Sequence, residues 1–197
     1  MRVVHFAMSV TRSCNRQEVS LFNIESKGIF GRRRRLVARD RLSKADFRSV
    51  AKELDASPFP ARKIGFVAAR RAPREEIVET RWNNKETRNT AAPGDWIVTN
   101  LSPRKEVLRD KAGHANTYVI RADKFPQLYE PDVGETEFGQ IYKPNGVVEA
   151  IRLSGGFQIL APWGQTQQSP DGYLLLNGTE VYGNDRETFE ATYAAVR

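Results

Sequence analysis

The sequence predicts an α+β fold: two tandem pseudo-equivalent ββββα units with mainly antiparallel sheets, preceded by a basic N-terminal region that contains one helix. Three observations predict it: an internal repeat, turn signals between apolar segments, and aromatic residues at helical spacing near the end of each copy. Similarity at a fixed spacing indicates one supersecondary unit used twice. Five residues recur 81 positions later: Val67, Ala69, Arg71, Val78 and Trp82 return as Val148, Ala150, Arg152, Ile159 and Trp163.

The repeat divides the chain into three predicted segments. Residues 1–60 form the basic N-terminal region, residues 63–131 the first copy, and residues 143–197 the second copy. The chain has 197 residues, of which 40% are hydrophobic, and this suits one compact domain or two small ones. We expect residues shared by both copies to build a scaffold, so function is sought where the copies differ or meet.

The N-terminal region contains one predicted helix, at 43–54. Ser43 is a suitable N-cap, and Asp46 stands three residues later, where an acidic side chain can close a capping box. The apolar residues that follow are at helical spacing: Phe47, Val50, Ala51 and Leu54. Residues 1–30 have weak periodicity, and they predict either one or two strands or a poorly ordered arm.

Each copy is expected to fold as four strands and a helix. In the second copy, Asn177-Gly178 predicts a tight hairpin, because a type I′ turn needs positive φ at both positions. Phe189 and Tyr193 then stand at helical spacing after an Asn-Asp capping pair, which predicts the closing helix. The first copy has an insert at 101–116 in place of that hairpin, and a loop of this length indicates either function or disorder.

A turn precedes an apolar strand in both copies. The first copy has Pro93-Gly94-Asp95-Trp96, and its Pro-Gly order predicts a type II turn. The second copy has Pro170-Asp171-Gly172-Tyr173, and this order suits a type I turn. The two turns would place the carboxylates of Asp95 and Asp171 differently, so we interpret the motif as structural rather than catalytic.

These turns, together with Phe125 to Tyr129 and Phe189 to Tyr193, resemble a small domain known by a Pro-Gly-Asp-Tyr or Pro-Gly-Asp-Trp (PGDY/PGDW) motif. The family is uncharacterised and is common among phage and prophage proteins. The resemblance covers residues 63–197, and the second copy departs from it because glycine follows the aspartate there. It implies a tandem duplication of that domain in a bacterial protein of phage or prophage type, and it implies no catalytic residues.

The basic excess of the chain lies in its N-terminal third. Up to Lys63 there are 15 Lys and Arg against 6 Asp and Glu, whereas the rest has 16 against 18. Clustered guanidinium groups bind phosphates through counterion release. We therefore expect contact with DNA or RNA, and the alternatives are an acidic protein partner or a solvated face. The candidate residues are Arg32, Arg33, Arg34, Arg35, Arg39 and Arg41.

Two matched arginines, Arg71 and Arg152, are the candidates for binding an anion. A pseudo-twofold axis between the copies could bring them together to clamp a phosphate or carboxylate. An enzyme acting on a nucleotide-like or anionic small molecule between the copies is therefore the alternative function. A phage structural or assembly protein that self-associates through strand edges is a third. The simpler interpretation is that each arginine makes contacts within its own copy.

Matched aromatic residues could provide a stacking platform for nucleic-acid bases. Trp82 and Trp163 hold equivalent positions in the two copies, as do Trp96 and Tyr173. The alternative, that these rings form the core of a small sheet, is favoured.

Other chemistries have little support in the sequence. One cysteine and two histidines, His5 and His114, cannot supply a zinc site of the usual type, so no metal and no cofactor are expected. Apolar segments are too short to span a bilayer, so no membrane partner is expected. The single cysteine fits a reducing compartment, and we expect a cytoplasmic location. The leading hypothesis is a non-enzymatic binding module that is associated with nucleic acid.

Overall fold

A computed structural model of the chain describes residues 22–27, 33–82 and 85–196, and within them the fold is predominantly β. These residues form sixteen strands and three helices. In chain order the elements are β1 (Phe22–Lys27), β2 (Arg33–Arg41), α1 (Lys44–Glu53), β3 (Phe59–Lys63), β4 (Phe66–Arg71), β5 (Glu76–Trp82), β6 (Lys85–Ala91), β7 (Trp96–Leu101), β8 (Thr117–Ile120), α2 (Phe125–Leu128), β9 (Tyr129–Thr136), β10 (Gly139–Pro144), β11 (Val148–Leu153), β12 (Phe157–Leu160), β13 (Thr166–Ser169), β14 (Gly172–Asn177), β15 (Glu180–Asp185), α3 (Arg186–Thr192) and β16 (Tyr193–Ala195).

The predicted α+β class with ββββα units is wrong. The strands form four mixed or antiparallel sheets, and the three helices have only ten, four and seven residues. The error comes from the helical spacing of the aromatics, because α2 and α3 end just before Tyr129 and Tyr193, which begin strands. The rings of Phe125 and Phe189 do stack on these tyrosines, at 5.0 and 5.1 Å between centroids. In each pair the phenylalanine belongs to a short helix and the tyrosine begins the next strand, so the four-residue spacing does not mark one continuous helix.

Two five-stranded sheets share one order of strands. The order is β8-β7-β4-β10-β9 in the first sheet and β15-β14-β11-β3-β16 in the second. Cross-strand pairs agree as well, since Ala69 lies opposite Val98 in the first sheet and Ala150 lies opposite Leu175 in the second. Residues matched in the sequence thus occupy matched places in the two sheets. An internal duplication would account for this agreement, and it stays a prediction.

Each of the two sheets contains one strand from the part of the chain that otherwise forms the other sheet. Strand β3 precedes β4 in the chain but lies in the second sheet, between β11 and β16. Strand β10 precedes β11 but lies in the first sheet, between β4 and β9. Only Ile64 and Gly65 join β3 to β4, and φ at Gly65 is +84°. Each sheet therefore depends on the other half of the chain for a complete set of strands.

The N-terminal residues contribute to a third, mixed sheet of four strands, β1-β2-β12-β13. Strand β2 runs antiparallel to β1 and parallel to β12. The inner face of this sheet and helix α1 share one hydrophobic core with the second five-stranded sheet, including Leu36, Phe47 and Phe157. Ser43 caps α1 and forms the capping box with Asp46 that the sequence predicts. The fourth sheet is the β5–β6 hairpin, which packs on the first five-stranded sheet.

Candidate functional site

The basic run forms strand β2, so the four-stranded sheet holds most of its arginines in fixed positions. Leu36 and Ala38 are buried in the core. Because side chains alternate along a strand, Arg35 and Val37 lie on the outer face. The pairing of β2 with β12 becomes irregular beyond Val37. This outer face of the sheet is the candidate functional site.

Two arginines of the run make contacts that stabilise the fold. Arg34 donates a hydrogen bond to the Glu53 carbonyl at the end of α1, where a cation also complements the helix dipole. Arg35 is half-buried and donates to Oε1 of Gln158 on the neighbouring strand β12, at 3.2 Å. These contacts occupy donors that would otherwise be available to a ligand.

Two other arginines of the run are available to a ligand. Arg39 and Arg41 are exposed, and they form no hydrogen bond or ion pair with the residues that the structure describes. Arg33 belongs to β2 by its backbone, but its side chain is outside the described part of the chain, as is the whole of Arg32. Of the six predicted nucleic-acid contacts, Arg39 and Arg41 therefore fit best with a phosphate-binding role.

Other polar residues lie on or next to the outer face of the sheet. Gln158 and Gln168 lie opposite each other on β12 and β13, and the second is exposed. Glu25 of β1 lies opposite Arg35, and Asp40 is exposed between the two available arginines. The face therefore combines guanidinium groups with amide donors and acceptors, and two carboxylates reduce its net positive charge.

The matched aromatic residues have different environments. Trp96 stacks on Phe125 with 4.1 Å between ring centroids, and Tyr173 stacks on Phe189 at 3.9 Å, so both belong to hydrophobic clusters. Trp82 is half-buried and its Nε1 donates to the Thr188 hydroxyl at 3.1 Å. Trp163, by contrast, is 54% exposed.

Arg71 and Arg152 lie in different sheets, and each makes contacts within its own copy. Arg71 lies in the first five-stranded sheet, where its Cζ is 4.5 Å from the centroid of the Trp96 ring. Arg152 lies in the second sheet, with its Cζ 4.9 Å from the centroid of the Tyr173 ring. Both also donate to the turns of their own copies, Arg71 to the Gly94 carbonyl at 3.0 Å and Arg152 to that of Gly172 at 2.9 Å. Each therefore joins a strand to the adjacent turn.

The two matched turns use their aspartates differently. In the first, φ at Gly94 is +89° and the Asp95 amide donates to the Ala92 carbonyl, as in the predicted type II turn. The carboxylate of Asp95 accepts hydrogen bonds from the amides of Ala92 and Ala122, both at 3.0 Å. Asp171 instead pairs with Arg152 and lies 3.5 Å from Nη1 of Arg186. These contacts connect parts of the scaffold, consistent with a structural motif.

A lysine and tyrosine cluster that the sequence pattern does not predict lies between the two five-stranded sheets. Lys63 lies on β3 of the second sheet, and its Nζ donates to the hydroxyls of Tyr118 and Tyr129 on the first sheet, at 2.9 and 2.8 Å. Desolvation lowers the pKa of Lys63 to about 7 and raises the pKa of both tyrosines. Tyr182 and Tyr193 of the second sheet are also part of this seam, and burial raises their pKa.

Little in the sequence could have revealed this seam. The four tyrosines are matched pairs of the repeat, Tyr118 with Tyr182 and Tyr129 with Tyr193, and residues shared by both copies are expected to build the scaffold. Lys63 lies opposite Tyr193 in the second sheet, and Pro144 lies opposite Tyr129 in the first. The residue equivalent to Lys63 is therefore a proline, so the repeat holds no second lysine at this position. One lysine at the end of a short strand gives no periodic signal, and its role depends on the exchange of β3 between the sheets.

The insert of the first copy is folded onto the sheet. It forms β-bridges between Leu101 and Val107 and between Arg109 and Ala115. Lys105 anchors it to β9 through hydrogen bonds to Asp132 and the Val133 carbonyl, at 2.7 and 2.8 Å. A groove of about 400 Å³ separates the insert from β5, and Glu79, Arg81, Arg109 and His114 are among its lining residues.

Comparisons with known proteins found no match to this chain among family models, curated proteins or solved structures. The resemblance to the PGDY/PGDW domain is therefore without support from them and stays a prediction. Within the described part of the chain, no helix has the length and apolar character needed to span a bilayer.

Proposed function

We propose that this chain is a non-enzymatic binding module that holds nucleic acid on the outer face of its four-stranded sheet. The observation that carries the proposal is the placement of Arg39 and Arg41 on this sheet, exposed and without a partner among the described residues. A phosphate backbone is the ligand that such groups favour, because binding releases condensed counterions.

Arg39 and Arg41 differ from several other exposed arginines of the fold, whose guanidinium groups are paired with carboxylates. Arg48 makes two hydrogen bonds to the carboxylate of Glu149, both at 2.6 Å. Arg70 and Arg121 make the same kind of paired contact, with Glu76 and Asp123 respectively. A guanidinium group engaged in this way has fewer donors left for phosphate. Arg39 and Arg41, which have no such partner among the described residues, keep their donors for a ligand.

The shape of the surface supports the same ligand. Four strands at the usual spacing of about 4.8 Å give a face about 15 Å across, on which a nucleic-acid strand can lie. The amides of Gln158 and Gln168 lie next to each other on this face and offer both donors and acceptors. Arginines can thus position the backbone while amides contact sugars or bases.

Fluorescence anisotropy with labelled oligonucleotides of about 20 nucleotides tests the proposal. The R39Q/R41Q double variant is expected to bind about tenfold more weakly than the wild type at low salt. Both side chains are exposed, so the fold should be unaffected. The matched control is R104Q/K111Q, which removes two exposed charges from the insert and should change affinity less than about twofold. Equal losses in both double variants, or no binding by the wild type, would overturn the proposal.

A further inference from the structure

Trp163 lies on the turn between β12 and β13, at one end of the four-stranded sheet. The Gln165 carbonyl accepts from the Ala161 amide at 2.8 Å, and the Ala161 carbonyl accepts from the Gly164 amide at 2.9 Å. The side chain of Gln165 donates to Asn89 of β6, which fixes the turn against a second element. Trp163 is nevertheless 54% exposed, although its ring centroid lies 6.0 Å from that of Tyr182, so part of the side chain is open to a ligand.

The same turn is adjacent to one of the available arginines. A Cβ atom on Gly164 would lie 3.8 Å from Nη2 of Arg41, so the guanidinium group extends to the residue that follows Trp163. Strand β2 ends at Arg41, and the turn continues from β12, the next strand of the sheet. A half-exposed aromatic side chain and a cation with no partner among the described residues are therefore neighbours at one end of the candidate interface.

We propose that the ligand of this face is single-stranded nucleic acid and that Trp163 stacks on one of its bases while Arg41 binds an adjacent phosphate. The inference rests on the proposed function and narrows it to one class of nucleic acid. Each base of a duplex is stacked on its neighbours, so an indole ring reaches a base face only in a single strand or at an end. Stacking on an aromatic ring is tolerant of sequence, since every base has a π face.

Intrinsic fluorescence measures this stacking directly. The chain has three tryptophans: Trp96 is stacked in a hydrophobic cluster, Trp82 is half-buried, and Trp163 is the most exposed. Titration with an unlabelled oligothymidine of about 20 nucleotides should quench the emission of the wild type and of W82F. The W163F variant should lose most of this quenching, because neither remaining indole is open to a base.

Affinity gives the second measurement. W163A should bind the single strand about tenfold more weakly, and W163F should retain part of the wild-type affinity, because phenylalanine still stacks. A duplex of the same length should bind the wild type more weakly than the single strand and should be insensitive to W163A. Equal single-strand affinity in W163A and wild type, or tighter binding of the duplex, would overturn this inference. The proposed function would survive those results if R39Q/R41Q still weakened binding, and it would fail if that variant bound normally.

Discussion

The Nζ atom of Lys63 lies 2.8 Å from the hydroxyl of Tyr129, across the boundary between the two five-stranded sheets. Lys63 is on β3, the strand that crosses into the second sheet, so this hydrogen bond connects the exchanged strand to the first sheet. The Nζ atom of Lys63 donates a second hydrogen bond across the same boundary, to the hydroxyl of Tyr118 at 2.9 Å. The contacts between the sheets thus include an ionisable group whose surroundings favour its neutral form.

Stability is therefore expected to increase between pH 7 and about pH 10 through Lys63. Its pKa is about 7 in the folded protein and about 10.5 in the unfolded chain. Between these values the unfolded state binds more protons than the native state, so the free energy of unfolding rises with pH. Urea denaturation at several pH values measures this. Lys63→Met is the control, and its stability should lack this increase. Parallel pH profiles for the two proteins would contradict the expectation.

Above about pH 10 the tyrosines of the seam should reverse this trend. Burial raises the pKa of Tyr118, Tyr129, Tyr182 and Tyr193 in the native state. The unfolded chain then loses phenolic protons first, and its ionisation favours unfolding as the pH rises. The Y182F variant should show a smaller decrease in stability above pH 10 than the wild type. An unchanged decrease would show that Tyr182 does not contribute to it.

The connection between β3 and β4 is expected to be intolerant of a side chain. A Cβ atom on Gly65 would lie 2.4 Å from the Leu101 carbonyl oxygen, and φ there is +84°. Gly94 has a similar φ of +89° but open space around the Cβ position. Gly94→Ala should cost about 1 kcal/mol, the usual penalty of positive φ, and Gly65→Ala about 3 kcal/mol or more. Chemical denaturation compares the two variants, and equal losses would contradict the predicted clash.

Asp95 should matter for stability because it accepts hydrogen bonds from two backbone amides. Asp95→Ala leaves the amides of Ala92 and Ala122 without this acceptor, and a loss of about 1–3 kcal/mol is expected. Asp95→Asn keeps one acceptor oxygen and should lose less. Asp123→Ala, which removes an exposed carboxylate near the same segment, should have no measurable effect on thermal unfolding. A neutral Asp95→Ala variant would contradict this role.

The sequence predicted local features that depend on neighbouring residues. The helix beginning after Ser43 and the turn at Gly94 are present, because capping and turn geometry are determined by a few adjacent side chains. The matched residues of the repeat also hold matched positions in the two sheets. Pattern alone could therefore identify these elements.

The fold class could not be obtained in the same way, because it depends on contacts between distant segments. The predicted N-terminal region ends at residue 60 and the first copy begins at residue 63, yet Phe59–Lys63 forms one strand, β3, which pairs with β11 and β16. The aromatic spacing at Tyr129 was interpreted as helical, although the ring stacks across the end of a helix. Arg34 and Arg35 make structural contacts because the end of α1 and Gln158 lie next to them in the fold, and the sequence of the basic run does not show this.

The most direct test of the account is the salt dependence of oligonucleotide binding by the wild type and R39Q/R41Q. If both arginines neutralise phosphates, the logarithm of the association constant should fall linearly with the logarithm of salt concentration for the wild type. The slope for the variant should be shallower by about 1.4, since each single-strand phosphate contact contributes about 0.7. Identical slopes for the two proteins, or a wild type with no salt-dependent binding, would contradict a nucleic-acid interface on strand β2.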